Sequence, residues 1–167
     1  MCHHHHHHEG EDHHCCGGCG GCCCGRSALT EREQAFIRCL AQVPYLPVVR
    51  FLLRSTKSEH LEAIALEPVY LLDTGDSMEH VQESGDVLRG LEEKGLITLD
   101  YDAPLQGYDY QIFLDSHVYR FFQETVEEAK SRQDFLYDIG VMEQGSMALT
   151  QRGYAAADLI DASTVSA

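Results

Sequence analysis

The first 25 residues contain no lysine, no arginine and, apart from cysteine, no apolar side chain except Met1. Such a segment cannot bury enough surface to offset its ordering entropy, so on composition alone it is expected to be disordered. The chain lacks any apolar run near the roughly 18 residues of a membrane span. It also lacks the basic start and apolar core of a signal peptide. A cytoplasmic location follows as the expectation, with reduced thiols that favour metal binding over a disulfide framework. Cations are scarce as well: with Glu9, Glu11 and Asp12 set aside, 12 basic residues face 24 acidic ones, a net charge of −12. A field of that sign repels phosphates, which disfavours DNA and anionic membranes as partners and favours cations and a protein partner with a basic surface. No Gly-rich phosphate loop, nucleophile elbow or Ser/His/Asp order occurs, so no enzyme is expected.

What this cation-free stretch does hold is metal donors. Seven of the eight cysteines and eight of the eleven histidines fall in it: Cys2, His3, His4, His5, His6, His7, His8, His13, His14, Cys15, Cys16, Cys19, Cys22, Cys23 and Cys24. Structural zinc takes Cys and His in fours, so these donors would saturate about three ions. Cys16-Gly-Gly-Cys19-Gly-Gly-Cys22 is two overlapping CxxC steps. At that spacing both thiolates of a step reach one ion while glycine lets the backbone turn back. Cys22, Cys23 and Cys24 are consecutive with diverging side chains, which suits bridging thiolates or several ions. Thiolates favour Cu(I), zinc and iron–sulfur clusters, whereas imidazoles suit zinc, nickel or Cu(II). Cys15, Cys19 and Cys22 also match the cluster spacing of radical-SAM enzymes, and the CxxCxxC run part of a ferredoxin's. A Gly/Cys repeat matches many such short patterns by chance. Two plainer readings stand beside metal capture. His3 to His8 has the form of an affinity tag, which would leave His13, His14 and the cysteines unexplained. Cys15 to Cys24 has the form of low-complexity filler, a role for which cysteine is unusually reactive.

Residues 26–167 read as a single acidic domain, long enough for one core, following the His/Cys/Gly-rich tail of residues 1–25. Thr30-Glu31-Arg32-Glu33 is a capping box, and the helix after it places Phe36, Ile37, Leu40 and Val43 on one face. Cys39 lies beside that face and is expected to be a small buried hydrophobe. Pro47 suits the first turn of a second helix through Val48, Phe51 and Leu52, and Ser58 a short third through Leu61 and Ile64, stopped by Pro68. Val69 to Leu72 reads as a short strand, closed by the turn Asp73 to Asp76. Ser77 to Lys94 is helical, with a break expected at Ser84-Gly85-Asp86 and a stop at Gly95. Ile97 to Tyr101 and Tyr108 to Leu114 suggest a β-hairpin. Ser116 caps a further helix, Phe135 to Met142 and Ser146 to Leu149 suggest a second hairpin, and a short helix spans Tyr154 to Ile160. His60, His80 and His117 are isolated and read as surface or cap residues. Asp100, Asp102 and Asp109 read as a solvated hairpin face, since the glycine-centred loop of an EF-hand is missing.

Val87 to Asp102, "VLRGLEEKGLITLDYD", resembles the recognition helix and first wing strand of bacterial winged-helix regulators. Met147 to Leu159, "MALTQRGYAAADL", is similar to the Leu-Thr-x-x-Gly phrase leading from their wing into a C-terminal helix. The resemblance implies an α+β, mostly helical, winged-helix-like domain with one or two β-hairpins. It also implies DNA binding, for which both helix and wing would carry Arg and Lys. Here Glu79, Glu83, Asp86, Glu92 and Glu93 face only Arg89 and Lys94 on the helix, and the wing region holds Asp100, Asp102, Asp109 and Asp115 with no basic residue. Function belongs to the site rather than the fold. The expected function is therefore a transition-metal-binding chaperone, store or assembly accessory whose acidic domain docks to a protein. The alternatives are a metal-responsive transcription regulator and a protein-interaction module with an incidental tail.

Overall fold

The computed structural model describes residues 28–165. It is an α+β fold of five helices and four strands among those residues: α1 (Glu31–Gln42), β1 (Leu46–Arg54), β2 (Glu62–Val69), α2 (Met78–Glu93), β3 (Ile97–Asp100), α3 (Gln111–Leu114), α4 (His117–Lys130), β4 (Ile139–Leu149) and α5 (Gln151–Val165). The strands form one antiparallel sheet in the order β2-β1-β4-β3.

The local start and stop signals act as the sequence predicts. Thr30 Oγ1 accepts a hydrogen bond from Glu33 N–H and the Glu33 carboxylate accepts one from Thr30 N–H, both at 3.2 Å, completing the capping box. Ser77 and Ser116 cap α2 and α4 through their hydroxyl oxygens alone, accepting from His80 N–H and Tyr119 N–H, each at 3.1 Å. Gly95 ends α2 with a φ of 72°, the left-handed conformation that glycine adopts without steric cost.

Several expected elements are replaced. Residues 47–52 are strand rather than helix, and the segment from Ser58 to Ile64 is a turn followed by β2, so β1 and β2 make a hairpin where two helices were expected. Strand β1 is central, and Val48, Val49, Phe51 and Leu52 are all buried. A strand covered on both sides is apolar without alternation, so its period cannot be told from that of a short buried helix. The Val69 to Leu72 strand is reduced to Val69, the end of β2. Helix α2 runs unbroken through Ser84–Asp86 because Val81, Leu88 and Leu91 keep one face of it buried.

Neither expected hairpin of the second half forms. Residues 97–100 pair with Ala148 and its neighbours in β4 instead of with 108–114, where α3 forms. Residues 139–149 are one continuous strand, and the turn expected at Glu143-Gln144-Gly145 is absent. Gly145 serves close approach instead. A Cβ there would stand 2.2 Å from the Asp100 carbonyl oxygen and 2.6 Å from Tyr101 Cα.

Because neighbouring strand residues point to opposite faces, β1 feeds two apolar clusters. Val48 joins Ile37, Leu40, Leu88, Leu91, Met147 and Ile160 among α1, α2 and α5. Val49 and Phe51 join Tyr110, Phe113, Val118, Phe122 and Val126 beside α3 and α4. Phe51 stacks on Phe122 with ring centroids 4.9 Å apart. The buried Tyr110 hydroxyl donates to the Gly145 carbonyl at 2.7 Å and accepts from Leu105 N–H at 2.8 Å, tying α3 to the middle of β4.

Candidate functional site

Every residue expected to bind metal, from Cys2 and His3–His8 through His13, His14, Cys15, Cys16, Cys19, Cys22, Cys23 and Cys24, lies outside the described residues. Among the described residues no group of three or more His, Cys, Asp or Glu is placed to hold a metal ion. Cys39, expected to be buried, is exposed: Ile37 and Leu40 take the inward positions of α1, and Cys39 falls on its outer side. His60, His80 and His117 are exposed.

The donor-rich segment meets the domain at the capped start of α1. Gln34 Nε2 donates to the Leu29 carbonyl at 3.2 Å, folding the chain just before the helix against its first turns. Beside this junction α1 packs on α5, and between them lies an open groove of about 340 Å³. Leu29, Gln34 and Arg38 line one side, Ala156, Leu159 and Ile160 the other. Its apolar wall is partly bare, Leu159 being 65% exposed.

A second feature, which the sequence reading missed, lies on the sheet. Arg50, directly opposite Glu143 across β1 and β4, donates to it at 2.7 Å and to Glu67 of β2 at 3.4 Å. The guanidinium also lies 4.9 Å from the centre of the Tyr101 ring. Burial works against the Arg50 charge, but Glu143 and then Glu67 outweigh it and raise its pKa. Burial, then Glu67, pushes the Tyr101 phenol far above its ordinary range, and the same two causes raise the Glu92 carboxyl. With the phenol protonated and the guanidinium held by two carboxylates, this cluster braces three strands.

Lys94 makes a comparable brace, donating at 2.6 Å to Glu33, whose side chain is 8% exposed. Desolvation raises the Glu33 pKa, yet the hydrogen bonds and charge of Lys94 and the Thr30 cap lower it further, leaving it below its ordinary value. Arg32, Arg50, Arg54, Arg89, Lys94 and Lys130 are all engaged in ion pairs with carboxylates of the same chain. Arg89 and Lys94 are the two cations counted on the helix that resembles a recognition helix. Neither stands unopposed.

The two phrases that carry that resemblance meet in space. Ile97 pairs with Leu149, Thr150 N–H donates to the Leu96 carbonyl at 3.0 Å, and Thr150 Oγ1 donates to the Gly95 carbonyl at 2.6 Å. Thr150 Oγ1 also accepts from Gly153 N–H at 3.1 Å, capping α5. A Cβ at Gly153 would lie 2.1 Å from the Leu96 carbonyl oxygen, so only glycine permits this closeness.

Among the described residues no helix is long and apolar enough to cross a membrane. No protein-family model matches the chain, and no curated protein matches it. One solved structure is similar at 10% sequence identity with a TM-score of 0.40, covering 81% of this chain and 89% of its own: an uncharacterized protein from the hydrocarbon-degrading marine bacterium Alcanivorax borkumensis SK2. A likeness at that level fixes neither fold family nor function.

Proposed function

We propose that this chain is a transition-metal-binding protein in which residues 2–24 capture zinc, nickel or copper, with an iron–sulfur cluster as the other occupant the thiols suit. The acidic domain docks to a protein partner with a basic surface, in the manner of a metal chaperone, store or assembly accessory. One observation carries this reading: fifteen Cys and His donors fall within 24 residues, including two overlapping CxxC steps. The ion pairs support the second half, since they occupy basic side chains of a domain whose acidic residues outnumber them twofold. Anaerobic purification followed by elemental analysis and an absorption spectrum tests it. At least one tightly held ion per chain is expected, with loss of thiolate-bound metal when Cys15, Cys16, Cys19, Cys22, Cys23 and Cys24 become Ser. Less than one ion per chain, unchanged by those substitutions, removes the metal reading and leaves a protein-interaction module.

A second reading, a metal-responsive winged-helix regulator, is favoured by the way Gly95, Leu96, Thr150 and Gly153 lock the α2–β3 and β4–α5 junctions together. Against it, β1 and β2 stand where the fold would place a helix before α2, and Arg89 and Lys94 are engaged by Asp86 and Glu33. Each phosphate contact needs a cation. Gel-shift binding of metal-loaded protein to duplex DNA, with a steep salt dependence, would favour the regulator. Its absence at low salt favours docking to protein.

A further inference from the structure

Strand β3 stops at Asp100 while its neighbour β4 runs on, so residues 139–145 of β4 pair with β1 and with no second strand among the described residues. Where β3 ends, residues 102–109 pass beside this edge and lead into α3. We infer that they form a strap over β4 that opens as one unit, by release of the Tyr110 hydroxyl, while the rest of the domain stays folded. The inference is independent of the metal-binding reading.

Three observations carry it. The first is how the strap is fastened. Its ties converge on two adjacent residues of β4. The Tyr110 hydroxyl accepts from Leu105 N–H at 2.8 Å and donates to the Gly145 carbonyl at 2.7 Å, and Ser146 Oγ donates to the Ala103 carbonyl at 2.7 Å. Ties that share one anchor are made and lost together. The second is how little lies behind them. Every residue from 102 to 109 is exposed except Leu105, which is partly buried against the cluster beside α3 and α4. Tyr108, 38% exposed, rests edge-on against Tyr110 with ring centroids 4.8 Å apart. A segment with few buried apolar contacts opens at a lower free energy than the domain unfolds. The third is strain at the hinge. Tyr110 sits at φ 55° and ψ 22°, the one non-glycine residue at positive φ among the described residues. That region is costly for a side chain with a Cβ and is kept only where the surroundings enforce it. Here the buried ring and its two hydrogen bonds enforce it. Releasing the hydroxyl frees the backbone to leave that region, which offsets part of the cost of opening. Opening returns the Gly145 carbonyl and the Ser146 hydroxyl to solvent, so this end of the β4 edge is accessible only while the strap is open.

Backbone hydrogen exchange in the full-length chain tests the inference. Leu105 N–H reports the strap, and the amides of Leu88 and Leu91 inside α2 report the domain. Leu105 should be protected, yet exchange about tenfold or more faster than the two α2 amides and with little dependence on low concentrations of urea. Ile37→Val, in the other apolar cluster, should speed the α2 amides about fivefold and leave Leu105 unchanged. Ser146→Ala removes the tie to Ala103 without touching the bond that Leu105 makes. It should speed Leu105 about fivefold, because the strap opens as one unit. A Leu105 amide that exchanges at the free-peptide rate, or that follows the α2 amides in Ile37→Val, would overturn the inference. So would an unchanged Leu105 rate in Ser146→Ala, which would make the two ties independent.

Discussion

Residues 2–24 and residues 28–165 divide the chain's chemistry in opposite ways. The first carry fifteen soft or borderline donors and no core-forming side chain beyond cysteine. The second bury two apolar clusters and hold only Cys39, His60, His80 and His117 of the same donor types, spread over separate elements with Cys39 exposed. The difference teaches which energy each region depends on. Residues 28–165 are held by burial and hydrogen bonding among themselves, whereas the composition of residues 2–24 offers metal donors in place of core-forming side chains. Damage to the domain should therefore leave metal content untouched, and stripping the metal should leave the domain's melting nearly unchanged.

Substitutions in the domain sharpen that contrast. Phe51→Ala removes the ring that stacks on Phe122 and meets Tyr119, and should destabilise the domain by about 3–5 kcal/mol in urea unfolding. Metal content per folded chain should not change. Gly145→Ala forces a Cβ into the Asp100 and Tyr101 backbone and should cost about 3 kcal/mol. A wild-type midpoint would mean that β3 and β4 are not held this closely.

Lys94→Met leaves the Glu33 carboxylate nearly buried without its cation, and a loss of about 1–2 kcal/mol is expected at neutral pH. The pH dependence has a definite sign. Glu33 titrates below its ordinary value of 4.5 in the folded chain, so its contribution is complete above the unfolded pKa and is lost as pH falls through the lower folded value. Lys94→Met should flatten the acid limb of the stability profile, and an unchanged limb would remove the ion pair from the account. The smallest effect belongs to Thr150→Val, which deletes the α5 cap and the bond to Gly95. It should lower stability by about 1 kcal/mol in the same unfolding assay.

How much of this was legible beforehand depends on the range of the interactions involved. Thr30, Gly95 and Ser116 are legible in the sequence because a cap is decided within four residues. The helices expected at residues 47–52 and 58–64 give way to β1 and to a turn leading into β2, because β1 pairs with β4, some ninety positions away along the chain, and shows no period of its own. Gly145 looked like a turn because sequence alone does not distinguish a glycine that bends the chain from one that lets another strand pass. Of the candidate site, the donors were plain from composition. The groove was not, since Leu29, Arg38 and Leu159 become neighbours only when α1 packs on α5.

The division of labour is tested most directly with cobalt(II) added to the reduced full-length chain and to the variant with Ser at positions 15, 16, 19, 22, 23 and 24. The wild-type chain should develop intense thiolate-to-cobalt charge-transfer absorption that saturates at one or more ions per chain. The variant should lose that band while melting at the same temperature. Equal spectra from the two chains, or a domain that unfolds when the six thiols are removed, would contradict it.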